Sequence, residues 1–172
     1  AGRSLLANVP LDQATLAFLV DPGNEGTLGH RRWLLSSWVD GLEAGSTDQY
    51  ACLELVDVDL DAEGPAFTAW PPPGEVPREL LETHGYTTDA VGWSIQSDRI
   101  DLSTARVVVR AGGRAHEVDV EVLAPGVGSA SAVSFTVDRI PRASRYDVEV
   151  HGVPDPFGYT VSIVDCSPEG VW

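Results

Sequence analysis

The first twenty residues contain a helical pattern of apolar positions. One helix face, with the i, i+3, i+4, i+7, i+8 spacing, is formed by Leu11, Ala14, Thr15, Phe18 and Leu19. The run Asp21-Pro-Gly-Asn ends this pattern, because proline disfavours helix at the preceding residue and Gly-Asn turns the chain. The next segment, 27–35, predicts a second short helix with Leu28 inward and with Arg31 and Arg32 outward or paired.

From residue 41 onward the pattern changes to the two-residue alternation of strands. Residues 50–61 predict a strand with an acidic outer face. After residue 90, short alternating runs separated by Gly and Pro turns predict six further strands, at 91–95, 105–110, 116–122, 132–137, 146–150 and 159–164. Such a series is typical of an immunoglobulin-like sandwich.

A proline-rich segment lies between the predicted strand at 50–61 and the later series of strands. The run Trp70-Pro-Pro-Pro-Gly is stiff and extended, as proline-rich connectors are. We therefore expect two domains, one at 1–68 and a β-sandwich with a Pro-rich entry segment at 69–172.

The charge of the chain excludes two classes of partner. The formal net charge is −15, and all 11 basic residues are Arg. A field of this sign repels phosphate backbones and anionic lipid, so we expect no nucleic-acid partner. No apolar run approaches the roughly 20 residues that cross a bilayer, so we expect no membrane span.

The cysteines and the first residue point to an exported protein. The sequence contains no Met, so residue 1 is not an initiator and we expect a processed chain in the secreted or cell-envelope fraction. The two cysteines, Cys52 and Cys166, lie in or beside strand-like runs. A single disulfide between them is the prediction for an exported protein, and two unrelated buried thiols are the alternative.

His30 is the strongest candidate for chemistry among the four histidines. It follows Gly29 at the start of the second predicted helix, close to Trp33. Imidazole acts as an acid, a base or a metal ligand near neutral pH. The sequence contains no Gly-x-Ser-x-Gly elbow, His-Glu-x-x-His motif, phosphate-binding loop or dinucleotide fingerprint.

The segment Leu28-Gly-His-Arg-Arg-Trp-Leu-Leu resembles the Gly-His-Arg segment of bacterial CAP superfamily proteins (cysteine-rich secretory, antigen 5 and pathogenesis-related proteins). The Trp-Pro-Pro-Pro-Gly and Gly-Trp-Ser-Ile runs resemble exported members with an appended β-sandwich. The resemblance implies an α+β fold, in which part of a CAP-like α-β-α sandwich precedes the all-β domain. It also implies a cleft in which His30 matches one of two metal-binding histidines, with zinc as a candidate ion.

The chain departs from the family pattern at the other positions of this cleft. No segment matches the first histidine, and Arg3 or Ser4 stands where the family has a glutamate. Glu25 and Glu43 are the nearby acids available to compensate, although no spacing requires either. The resemblance thus predicts an incomplete metal site, to be completed from elsewhere or degenerate.

Three functional hypotheses follow. The first is an exported, non-enzymatic binding protein whose ligand is a peptide, a lipid or a cell-surface component. The second is a hydrolase that uses His30 as general base or metal ligand. The third is a structural product of maturation, associated with an N-terminal segment or partner chain that completes its sheet. The third is compatible with the first.

Overall fold

The computed structural model describes residues 4–62 and 64–166. The protein is predominantly β, with 44% strand and 15% helix. The predicted α+β class, with a CAP-like α-β-α sandwich, is therefore wrong. The physical reason is the shortness of the helices in the described residues, which are α1 (Leu11–Val20), α2 (Gly29–Leu34) and α3 (Thr88–Val91).

The N-terminal part is a three-stranded antiparallel sheet with one helix packed on it. Its strands are β1 (Ser4–Ala7), β2 (Val39–Ser46) and β3 (Ala51–Val58), in the order β1-β3-β2. Helix α1 covers one face, where Phe18 packs with Leu5 and Leu53. The predicted helix is thus confirmed with Ala14 and Phe18 on its buried face, although Thr15 is exposed. Of the predicted strand 50–61, residues 51–58 form β3. We call this unit the small sheet.

The C-terminal part is a β-sandwich, as predicted. One sheet has the order β10-β9-β13-β14-β5 and the other β11-β12-β8-β4. The bounds are β4 (Thr68–Trp70), β5 (Gly74–Pro77), β8 (Trp93–Ser97), β9 (Arg106–Ala111), β10 (Arg114–Val118), β11 (Val120–Leu123), β12 (Ser131–Phe135), β13 (Arg145–His151) and β14 (Phe157–Val164). A single core joins the sheets, with Trp93 and Ile95 from one against Val109 and Val148 from the other.

Short elements connect β5 to β8. A 3₁₀ helix (Arg78–Leu81) leads into a small hairpin of β6 (Glu82–Thr83) and β7 (Tyr86–Thr87), and α3 follows. The Thr87 hydroxyl accepts a hydrogen bond from the Ala90 amide at 3.3 Å and caps α3. Trp93 Nε1 then donates to Asp89 at 2.9 Å, which fixes the start of β8.

One predicted strand divides into two. The alternation over 116–122 continues without a break, yet the chain changes sheet at Asp119, between β10 and β11. Both sheets face the same core, so the pattern of apolar positions is unchanged by the switch. The predicted domain boundary between residues 68 and 69 falls inside β4, which already pairs with β8.

None of the helices in residues 4–62 and 64–166 is long and apolar enough to cross a membrane.

Candidate functional site

His30 lies beside a buried carboxylate. Its Nδ1 is 2.8 Å from Oδ1 of Asp21, the residue that ends α1 in the left-handed conformation, with φ of 59°. Asp21 is 1% exposed, whereas the His30 side chain is 33% exposed. Asn24 Nδ2 donates to the same Asp21 oxygen at 2.9 Å, and the Phe18 ring lies 5.0 Å from the imidazole.

Two groups lie 2.8 Å from His30 Nδ1: the Asp21 carboxylate, which only accepts a hydrogen bond, and Asn24 Nδ2, which only donates one. The carboxylate contact favours the tautomer with the proton on Nδ1, and in that tautomer Nε2 is the basic atom. The carboxylate is held in turn by the Arg31 amide, which donates to Asp21 Oδ2 at 3.2 Å. An imidazole oriented in this way is suited to act as a base or as a ligand.

The described residues do not supply a complete metal site. Across the part of the chain that the structure describes, no group of three or more His, Cys, Asp and Glu side chains is placed to hold an ion. Asp21 is already engaged by His30 Nδ1 and so orients the ring rather than adding a ligand. His30 contributes one available nitrogen, and the zinc assignment stays a prediction.

Arg31 is buried, where the sequence left open whether it points outward or is paired. Its guanidinium donates to the carbonyl oxygens of Leu19 (2.5 Å), Val20 (2.8 Å) and Gly92 (2.6 Å) and to the Ser94 hydroxyl (3.2 Å). Burial lowers the pKa of Arg31 to about 10, an effect that the charge of Asp21 opposes. The cation thus ties the end of α1 to β8.

Arg32 makes a second connection to the sandwich. Its guanidinium donates to the Ala124 carbonyl at 2.9 Å and the Ser129 hydroxyl at 3.2 Å, and burial lowers its pKa to about 10. Gln96 Nε2 donates to the Arg32 carbonyl at 3.2 Å. Gly128, with φ of 68°, approaches that carbonyl so closely that a Cβ would lie 2.4 Å from its oxygen. The Gly-His-Arg-Arg motif is therefore a structural junction as well as the carrier of His30.

The two cysteines are free thiols, so the structure does not contain the predicted disulfide. Cys52 is half-buried in the small sheet, opposite Leu6 and Gly45. Cys166 is exposed and follows Asp165, which accepts a hydrogen bond from Arg78 Nε at 2.7 Å. The thiols thus belong to different sheets of the molecule.

The face of the small sheet opposite α1 is open, and its end beside the β2–β3 turn is apolar. Leu6 is 67% exposed and Tyr50 is 60% exposed. Between them runs a groove of about 370 Å³, lined by Leu6, Ala7, Gly45, Ser46, Thr47, Tyr50, Ala51 and Cys52. A Cβ built on Gly45 meets nothing within 4 Å, so the floor of the groove is unobstructed. We call this feature the outer groove.

The remaining predicted cleft residues do not gather around His30. Glu25 accepts a hydrogen bond from the Gly23 amide at 2.9 Å, and Glu43 lies on β2 opposite Glu54. The Ser4 hydroxyl donates to Glu54. Arg3 lies outside the described residues.

Two features of the site were missed from sequence. Asp21, taken only as a helix stop, is the carboxylate that binds His30. The signal was present in the Asp-Pro-Gly-Asn turn, because Asp and Asn are the non-glycine residues that adopt left-handed backbone and bond nearby groups. The exposure of Leu6 had no local signal, since Leu5 and Leu6 are both apolar.

Comparison of the chain with protein-family models, with curated proteins and with solved structures found no match.

Proposed function

We propose that this chain is an exported binding protein that holds a segment of another polypeptide in the outer groove. The observation that carries the proposal is the apolar groove at one end of the open face of the small sheet, where Leu6 and Tyr50 are each more than half exposed. The β-sandwich, proposed as immunoglobulin-like, supplies the rigid support.

The distribution of exposed apolar residues supports the groove as the binding surface. Seven large hydrophobic side chains are exposed within the described residues, and two of them, Leu6 and Tyr50, line the same groove. Leu42 is opposite Leu55, which packs with α1, so it lies on the other face of the small sheet. Contiguous exposed apolar surface, in contrast to scattered single residues, marks interaction sites.

The edges of the small sheet favour a polypeptide over a lipid or another small ligand. The strand order β1-β3-β2 leaves one side of β1 and one side of β2 without a strand partner among the described residues. The groove lies between the end of β1 and the β2–β3 turn, so backbone groups of an edge strand are adjacent to apolar pockets. Peptides that add to a sheet use both kinds of contact.

The test is selection of peptides on the native protein. A displayed random peptide library is panned on the wild type and, in parallel, on Gly45→Phe. The phenylalanine ring would enter the open space above Gly45 and fill the groove. We expect families of related peptides that bind the wild type and lose binding to Gly45→Phe by at least about tenfold, the equivalent of 1.4 kcal/mol.

Gly26→Phe is the matched control. Gly26 is also exposed with open space around its Cβ position, but it lies in the loop before α2. It should retain all selected peptides. Recovery of no enriched peptide, or of peptides that bind Gly45→Phe as well as the wild type, would contradict the proposal.

A second candidate function, hydrolysis, is favoured by the pairing of His30 with Asp21. In this function Nε2 of the oriented imidazole takes a proton from an attacking water, and Asp21 stabilises the imidazolium that forms. The test is hydrolysis of p-nitrophenyl acetate across about pH 5–9. Loss of the pH-dependent rate in both His30→Ala and Asp21→Asn would support it, whereas unchanged rates in both variants would reject it.

A further inference from the structure

We infer that the segment bound in the outer groove is cationic as well as apolar. This inference rests on the proposed function and names the chemical class of its partner. Apolar side chains of the segment occupy the groove beside Leu6 and Tyr50, and its Lys or Arg side chains lie over the carboxylates of the same sheet face.

The charge of the groove's surroundings is of one sign. The sequence contains no Arg, Lys or His between Trp33 and Pro77, a stretch that includes β2 and β3 and carries nine acidic residues. β1 carries no charged residue, so within the described residues every charge that the strands of the sheet present beside the groove is negative. The groove lining itself carries no charged residue, so the apolar and the ionic parts of the surface are separate.

Two carboxylates lie directly opposite each other on this face. Glu43 on β2 pairs in register with Glu54 on β3, and Cys52, two residues from Glu54 along β3, lies in the groove lining on the same face. Like charges in direct cross-strand register are destabilising. A cation from a partner would relieve this repulsion and add charge-assisted hydrogen bonds to both groups.

The same charge argument excludes two other occupants. A second copy of this chain carries the same net charge of −15, so the face repels it. An acidic or phosphorylated peptide is repelled for the same reason. A neutral apolar peptide satisfies the groove but leaves the Glu43–Glu54 pair uncompensated.

The experiment uses three synthetic, fluorescein-labelled peptides of equal length with identical leucine positions. Their polar positions are all Lys, all Gln or all Glu, and binding to the intact chain is followed by fluorescence anisotropy at about 0.15 M salt, where the Debye length is about 8 Å. We expect the Lys peptide to bind about tenfold more tightly than the Gln peptide, and the Glu peptide to bind more weakly than either.

Two variants assign the charge effect to this face. In Glu43→Gln/Glu54→Gln the affinity for the Lys peptide should fall to that for the Gln peptide, and the Gln peptide should be unaffected. The matched control, Glu117→Gln/Glu121→Gln, removes two exposed charges from β10 and β11 and should leave the Lys preference intact. In Gly45→Phe, both peptides should lose affinity.

The outcomes separate the inference from the proposed function. Equal binding of the Lys and Gln peptides, with loss of both in Gly45→Phe, would overturn the cationic preference and leave the groove as a binding site. Lys-peptide binding that Gly45→Phe does not change would overturn the inference, because the contact would then be a general charge effect. No binding of any peptide would count against both.

Discussion

The outer faces of two sheets in this protein differ, because one is covered by a helix and the other is open to solvent. On the four-stranded sheet of the sandwich, the face turned away from the core carries Ser94 and Gln96, and it is buried under α2. On the small sheet, the face turned away from α1 carries Leu6, and it is open to solvent. The covered face is therefore held by polar contacts, whereas the exposed face has an uncovered apolar groove at one end.

This difference separates a surface that holds the fold together from the surface that we propose as the binding site. Hydrogen bonds from Arg31 and Arg32 to backbone carbonyls on both sides of the contact hold the covered face. The apolar groove on the exposed face has no such contacts, and apolar area in water is unfavourable by about 25 cal/mol per Å². A partner that covers this apolar area removes it from water, and the bound state is stabilised for that reason.

The largest expected effect on stability comes from removing the contacts that Arg31 makes beneath the covered face. Arg31→Leu keeps apolar volume but removes every donor to the Leu19, Val20 and Gly92 carbonyls, which stay buried. Loss of one side of a buried polar network costs about 3–5 kcal/mol. Urea denaturation followed by Trp fluorescence should show this decrease in the free energy of unfolding. Arg114→Leu, on exposed β10, is the control, and an equal decrease there would contradict the assignment.

The two faces of β1 provide the second test. Leu5 is 4% exposed and packs against α1, whereas its neighbour Leu6 is 67% exposed. Leu5→Ala should lower the free energy of unfolding by about 3 kcal/mol through lost burial and the cavity it leaves. Leu6→Ala should change it by less than about 0.5 kcal/mol. Similar losses at both positions in urea denaturation would mean that the face of Leu6 is covered in solution.

The sequence predicts the parts of this comparison that depend on local pattern. The spacing of Ala14 and Phe18 predicts α1, and alternation predicts β3 and the sandwich strands, because each element buries one face of its own. The apolar stripe cannot show how long a helix will be or what covers the opposite face of a sheet. The CAP-like fold was therefore assigned from a motif whose helices are too short here to form two outer layers.

The burial of Arg31 and Arg32 is not predictable from their neighbours. Their acceptors include Gly92 and Ala124, 61 and 92 residues away along the chain, and no local periodicity reports such contacts. Asp21 is nearer, but its role depends on a left-handed backbone that turns the carboxylate back toward His30. The sequence thus identifies the kinds of residue that form the site, but the groups that they contact are determined by the tertiary fold.

A third test concerns the close approach of the sandwich to α2. Gly128 and Gly126 both have positive φ, of 68° and 77°, but only at Gly128 would a Cβ meet the Arg32 carbonyl oxygen, at 2.4 Å. Gly126→Ala should lower the free energy of unfolding by about 1 kcal/mol because of backbone strain alone. Gly128→Ala should lower the free energy of unfolding by about 2 kcal/mol more than Gly126→Ala does, because of overpacking. Equal decreases in the free energy of unfolding for the two variants, in thermal or urea denaturation, would show that Gly128 and the Arg32 carbonyl can move apart without further loss of stability.

The smallest effect, and one of opposite sign, is expected in the sandwich core. Tyr159 is 8% exposed and packs on Phe67 with ring centroids 5.7 Å apart, and its hydroxyl has no hydrogen-bond partner. In contrast to Arg31, this buried polar group is unsatisfied. Tyr159→Phe removes the hydroxyl and keeps the ring, so the free energy of unfolding should increase by about 1 kcal/mol.

The pH dependence of Tyr159→Phe checks the same cause. Burial raises the pKa of Tyr159 above its ordinary value of 10.0, so above that pH the unfolded chain loses a proton that the folded chain keeps. The unfolded state then binds fewer protons, and stability decreases as the pH rises. Phenylalanine lacks this linkage, so the advantage of Tyr159→Phe in urea denaturation should be constant from pH 7 to about 9 and increase beyond pH 10. A constant difference up to pH 11 would show that the hydroxyl reaches water in the folded protein.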